Sequence, residues 1–142
     1  MNFMDELLNQ RLIIENLLKK GFRYAVKSRN LLIGIDFSKD SNFNIYKMIS
    51  VSTSLSESFG LFSELQMFLE ENYDKLGNTD IFTDTVNKFI RYNDEVINSF
   101  AKNHSLQYSH EYFDNFIEHY KLAISVLHPE YDYEEIDNML ID

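Results

Sequence analysis

Along residues 3–19, apolar side chains recur at helical spacing. Leu7, Leu8, Ile14, Leu17 and Leu18 form one side, and Asp5, Asn9, Asn16 and Lys20 line the other. The pattern predicts an amphipathic helix. It closes on Lys19-Lys20-Gly21-Phe22, which reads as a stop signal: cations near the last carbonyls, a glycine able to turn left-handed, and an apolar residue to fold back.

Residues 22–54 fit two periods. As strands, Phe22, Tyr24 and Val26 alternate with Arg23, Ala25 and Lys27. Leu31, Ile33, Ile35 and Phe37 then share a face after a turn at Ser28-Arg29-Asn30. Phe43, Ile45, Ile49 and Val51 follow the polar loop Ser38-Lys39-Asp40-Ser41-Asn42. As helices, Ile45, Met48, Ile49, Leu55, Phe59 and Phe62 trace a 3.6-residue stripe, and the first helix runs on through Gly21. Strands are preferred for two reasons. A helix crossing Gly21 and Gly34 gives up about 1 kcal/mol at each relative to alanine, and it sets Arg29 on its apolar side. In addition, Ser54-Leu55-Ser56-Glu57 fits a capping box, which starts a helix only at Ser54.

The remainder reads as helices. Residues 55–74 carry Phe59, Phe62, Leu65 and Leu69 and stop at Gly77-Asn78. Thr79 or Asp80 caps a segment with Phe82, Val86, Phe89, Ile90, Val96, Ile97 and Phe100. Ser109 caps another with Phe113, Phe116, Ile117, Tyr120, Ile124 and Leu127, ended by His128-Pro129. A short last helix holds Ile136, Met139 and Leu140, with Asp132 and Glu135 as its capping pair. The expected fold is therefore α+β and helix-dominated. It has an N-terminal helix, a small antiparallel β-meander at about 22–53, and three to four helices packed as a bundle. An all-α up-and-down helical bundle is the alternative.

Composition supports one domain over 1–142, with 130–142 as an acidic docking segment. Of 142 residues, 44% are hydrophobic, with 12 Phe and 9 Tyr, enough for a core without a staple. The absence of cysteine excludes disulfides, thiolate metal sites and a cysteine nucleophile. No basic leader opens the sequence, and runs such as Leu31-Leu32-Ile33-Gly34-Ile35 are far short of a membrane span. The expected location is cytoplasmic.

Net charge is -10, which disfavours direct nucleic-acid or membrane binding. The charge is uneven. Residues 1–30 hold six of the 13 Lys/Arg but three of the 23 Asp/Glu. The richness in Asn, Ile, Phe, Tyr and Lys suggests an A/T-rich genome, a bias familiar in mobile elements.

Chemistry leaves few candidates. Glycines at 21, 34, 60 and 77 write neither a P-loop nor a dinucleotide fingerprint. The residues three before His104, His110, His119 and His128 are Ala101, Gln107, Phe116 and Ser125, so no Glu-x-x-His pair exists. His110, Asp114 and Glu118 share a face that reads as a solvated polar stripe. The serines at 50, 52, 54, 56 and 58 lie in no Gly-x-Ser-x-Gly elbow. No arginine precedes a histidine by the four to six residues typical of RNA-cutting helical domains. No catalytic residue, cofactor or metal site is assigned.

Two features stand out. The basic segment Lys19, Lys20, Arg23, Lys27 and Arg29 is a candidate contact for an anion or an acidic patch; alternatively it offsets the acidic remainder and docks the tail. The C-terminal run Glu130, Tyr131, Asp132, Tyr133, Glu134, Glu135, Ile136 and Asp137 reads as an amphipathic docking element for a basic partner, or as a solvated terminal helix. The expected function is a non-catalytic acidic interaction module: a small regulator, inhibitor or immunity-type partner of a larger, basic protein, with homo-oligomers allowed. Alternatives are a DNA-mimic inhibitor of a nucleic-acid-binding protein, and a small-ligand receptor or enzyme joining Arg29 to the serines at 50–58 in an internal polar pocket.

Overall fold

A computed structural model describes residues 3–38 and 41–140. Among these described residues six helices follow one another: α1 (Phe3–Leu32), α2 (Ser41–Glu71), α3 (Tyr73–Leu76), α4 (Asp80–Lys102), α5 (Gln107–Leu127) and α6 (Tyr133–Met139). The most extensive pairings are α1 with α2 and α4 with α5. Contacts of α2 with α4 and of α1 with α5 close the ring, giving an all-helical up-and-down bundle.

The expected β-meander at 22–53 is overturned, since no described residue is in a strand. The burial pattern carries a helical period. Phe22, Ala25, Ser28 and Leu32 are buried at steps of three, three and four, and Ile33 is 64% exposed while Ile35 is buried, so the two do not share a strand face. Of the polar loop proposed before the third strand, Lys39 and Asp40 lie outside the described residues, and Ser41 and Asn42 already belong to α2. Ser54 does not cap a helix; it is buried in the middle of α2.

Both objections to a continuous helix find a physical answer. At Gly21 α2 approaches closely: a Cβ there would stand 2.8 Å from the Phe62 ring. The missing side chain admits that ring, and Ser58 Oγ donates to the Gly21 carbonyl across 2.7 Å. The stop signal at Lys19–Phe22 is thus a helix-crossing point. Gly34 imposes no helix penalty because α1 has already ended at Leu32. Arg29 does sit on the inner side, where its guanidinium lies 5.2 Å from the Phe113 ring centroid.

The core is aromatic. Phe116 stands within 5.7–5.8 Å of the rings of Phe22, Phe62, Phe89 and Phe113, and Phe22 stacks on Tyr120 at 3.9 Å. Apart from its own backbone, this cluster draws on α1, α2, α4 and α5 together. Tyr92 Oη and Ser28 Oγ meet at 2.7 Å inside it, and Ser28 donates on to the Ala25 carbonyl at 2.6 Å. A buried hydroxyl pair satisfied in this way avoids the penalty of a stranded polar group.

The helix ends differ from expectation. Asn78 Oδ1, and not Thr79, accepts from the Asp80 amide. Ser109 is buried in the first turn of α5, which is opened by Ser105 Oγ accepting from the Gln107 amide. Asn103 ends α4 at a left-handed φ of 52°. The Asp132 cap of α6 holds, with Oδ1 accepting from the Glu135 amide at 2.8 Å. No helix among the described residues is long and apolar enough to cross a membrane.

Candidate functional site

The basic segment is divided by the helical turn. Lys20, Arg23 and Lys27 are exposed on one side of α1. Lys19 is paired with Glu15 at 2.7 Å, one turn before it. Arg29 turns toward α5 instead. Of the five cations, Lys20, Arg23 and Lys27 therefore form an outer stripe.

Arg29 forms a cluster with residues far away in sequence. Its Nε donates a long hydrogen bond to His110 Nδ1 (3.5 Å), and its Nη2 lies 3.8 Å from Asp114 Oδ1. Burial holds the His110 imidazole below its ordinary value; Arg29 adds to that effect and Asp114 opposes it. A neutral ring accepting at Nδ1 carries its proton on Nε2. His110 and Asp114 also line an open groove of about 650 Å³ at the bundle end, beside His104, Glu111, Asp36 and Ser38. Of the expected solvated stripe, Asp114 and Glu118 are exposed, whereas His110 is half-buried. No group of three or more metal-ligating side chains gathers among the described residues.

The serines take helical positions. Ser54 and Ser58 are buried, while Ser50, Ser52 and Ser56 are exposed. Arg29 makes its side-chain contacts with His110, Asp114 and Phe113 on α5, and none of the described contacts joins it to these serines. Ser52 and Ser56 instead flank a second open groove of about 590 Å³, with Ile45, Met48, Ile49, Phe100 and Ala101 around it.

The acidic C-terminal segment is docked on the bundle. Ile136 is buried, Tyr131 and Leu140 are half-buried against the core, and Lys121 Nζ reaches Asp137 at 2.7 Å. His128 holds the turn before it. Nε2 is 2.6 Å from Glu15 Oε1, Nδ1 is 2.9 Å from Glu130 Oε1, and the ring stacks on Tyr131 at 4.8 Å. Burial works against the charged imidazole, yet the hydrogen bonds to Glu130 and Glu15 outweigh it and raise His128 above its usual value. Glu15 is lowered: burial opposes its charge, and Lys19 and His128 outweigh the burial. Glu130, Asp132, Glu134 and Glu135 remain exposed. The side chains of Tyr133 and Met139 fall outside those the structure describes.

The contacts that hold the tail, through Lys121, His128 and Glu15, were not foreseen. Docking of the tail is one of the two alternatives for the basic segment; among the described contacts only Lys19 touches this network, through Glu15. No protein-family model, curated protein or solved structure matches the chain.

Proposed function

We propose that this chain is a non-catalytic interaction module that offers a preformed acidic surface to a basic protein. The observation behind this reading is the orientation of α6. Its apolar side, Ile136 with Leu140, packs on the bundle, so Glu134 and Glu135 stand outward beside Glu130 and Asp132. A docked helix needs no ordering when a partner arrives, which lowers the entropic cost of association. Because Ile136 and Leu140 are already covered and the carboxylates stand outward, recognition by this segment is electrostatic. It sets orientation and association rate and weakens with salt.

A fluorescent Lys/Arg-rich peptide is the probe that tests this. Charge reversal of Glu130, Glu134 and Glu135 to lysine abolishes peptide binding on this reading. The same number of reversals on α2, at Glu64, Glu70 and Glu71, leaves most of it. Equal losses in the two variants would show attraction to net charge alone and sink the proposal.

A further inference from the structure

His128 stands at an elbow. The last turn of α5 closes on it with a non-helical backbone (ψ 72°), Pro129 follows, and α6 then folds back onto the bundle. Both ring nitrogens face carboxylate oxygens, Nε2 toward Glu15 on α1 and Nδ1 toward Glu130 across the elbow. A neutral imidazole has one N–H and an imidazolium has two, so only the charged ring donates to both. Loss of the proton sets a ring lone pair against an oxygen at 2.6 or 2.9 Å.

The anchors beyond the elbow are slight. Among the described side chains they are Ile136, which is buried, Tyr131 and Leu140, which are half-buried, and Asp137, which meets Lys121. At seven residues, α6 is too short to stay helical by itself. A segment so lightly packed opens before the bundle does.

We infer that residues 128–140 lift from the bundle as a unit, and that the charge on His128 governs how often they do. The surrounding groups leave this task to His128. On α1 these are Glu15, with Lys19 on the same oxygen, and Arg11 one turn earlier, which lines a small cavity with Val126 and Leu127. On α5 they are Lys121 and Tyr120, and past the elbow Glu130, Tyr131 and Asp137. Glu130 is lowered by its own backbone N–H and by His128, Glu15 is lowered too, and burial raises Tyr120. Both carboxylates are therefore ionised, and Tyr120 is neutral, while His128 loses its proton above neutral pH.

Lifting disperses Glu130, Asp132, Glu134 and Glu135, which the docked tail holds in fixed positions. Capture of a basic partner is then weaker above neutral pH than below it. That consequence rests on the function proposed above; the lifting itself does not.

The chain has no native cysteine, so single thiols can report the opening. Ile136→Cys lies beneath the tail, Asn138→Cys is exposed on it, and Ala123→Cys is buried in the bundle. The labelling rate of Asn138→Cys divided by that of Ile136→Cys measures protection and cancels the thiol's own ionisation. Protection should fall severalfold from pH 6 toward pH 8, by at most about tenfold for each pH unit, the limit for one proton. With His128→Gln added, it should be low and flat. Amide exchange at Ile136 in the unaltered chain reads the same opening without a core substitution. Protection equal at both pH values, the same fall in the His128→Gln background, or Ala123→Cys labelled together with Ile136→Cys would each overturn the inference. A Lys/Arg-rich peptide should bind more weakly at pH 8 than at pH 6, and His128→Gln should remove that difference. A tail that opens as described while the peptide binds at neither pH would support the lifting and refute the acidic surface.

Discussion

The Phe62 ring lies against the Cα of Gly21 so closely that no methyl group fits between them. The contact fixes how near α1 and α2 approach, and it reverses the usual effect of removing a helical glycine. Gly21→Ala gains about 1 kcal/mol of helix propensity, but it displaces a ring at the centre of the aromatic cluster. Overpacking of that kind costs about 1–3 kcal/mol. Urea denaturation is expected to show net loss for Gly21→Ala. For Gly60→Ala it is expected to show a gain, because nothing stands within 4 Å of the added carbon. Equal gains at both sites would mean that the close approach has no energetic weight.

The buried hydroxyl pair predicts an asymmetry. Tyr92→Phe leaves Ser28 bonded to the Ala25 carbonyl, and costs about 1 kcal/mol. Ser28→Ala strands the Tyr92 hydroxyl in the core, and costs about 1–3 kcal/mol. Burial is the main reason the Tyr92 phenol is pushed well above its ordinary value. Ultraviolet titration should therefore find Tyr92 un-ionised until the chain unfolds in alkali. An early phenolate signal lost in Tyr92→Phe would contradict the placement.

His110 tests the Arg29 cluster. Replacing Arg29 by glutamine removes one of the two influences that lower the imidazole, so its titration by proton NMR should move up toward 6.5. Asp114→Asn removes the influence that raises it, and should move the titration down. Shifts of the same sign in both variants would show that the contacts are not those described.

The two ends of the tail latch set a pH window. His128 is raised when folded, so its contribution is fully present below its unfolded value of 6.5 and is lost as pH climbs through the folded value. Glu15 is lowered, so its share is present above 4.5 and is lost as pH falls through its folded value. The latch is thus strongest between about 4.5 and 6.5. His110, lowered when folded, works in the opposite sense, costing stability as pH falls below its unfolded value. Comparison with His128→Gln isolates the latch. The difference in Tm between wild type and variant should be largest near pH 5.5 and shrink toward pH 8. A difference constant over that range would remove the titration from the account.

Much of α4 and α5 was legible in the sequence, because Phe82, Val86, Phe89 and Val96, and Phe113, Phe116, Tyr120 and Ile124, repeat at helical spacing and are all buried. Residues 22–53 misled for an equally physical reason. What argues against a helix there, Gly21 and Arg29, is local, whereas what answers it is remote. Phe62 is 41 residues from Gly21, and His110 is 81 residues from Arg29. β-Branched and aromatic residues suit a buried helix face as well as a pleated sheet, so composition could not decide between them. The acidic run was visible as charge, and its capping pair as a motif. Its dock was not, since Lys121 and Glu15 bear no mark in the sequence that ties them to it.

The pairing of α1 with α2 and of α4 with α5 joins segments that are neighbours along the chain. Each hairpin can close over a short connection before the other exists, so little loop entropy stands between the unfolded chain and its first stable contacts. Bundles of such low contact order fold in microseconds to milliseconds. The aromatic cluster around Phe116 is complete only when the hairpins meet, since Phe22 and Phe62 come from one and Phe89, Phe113 and Phe116 from the other.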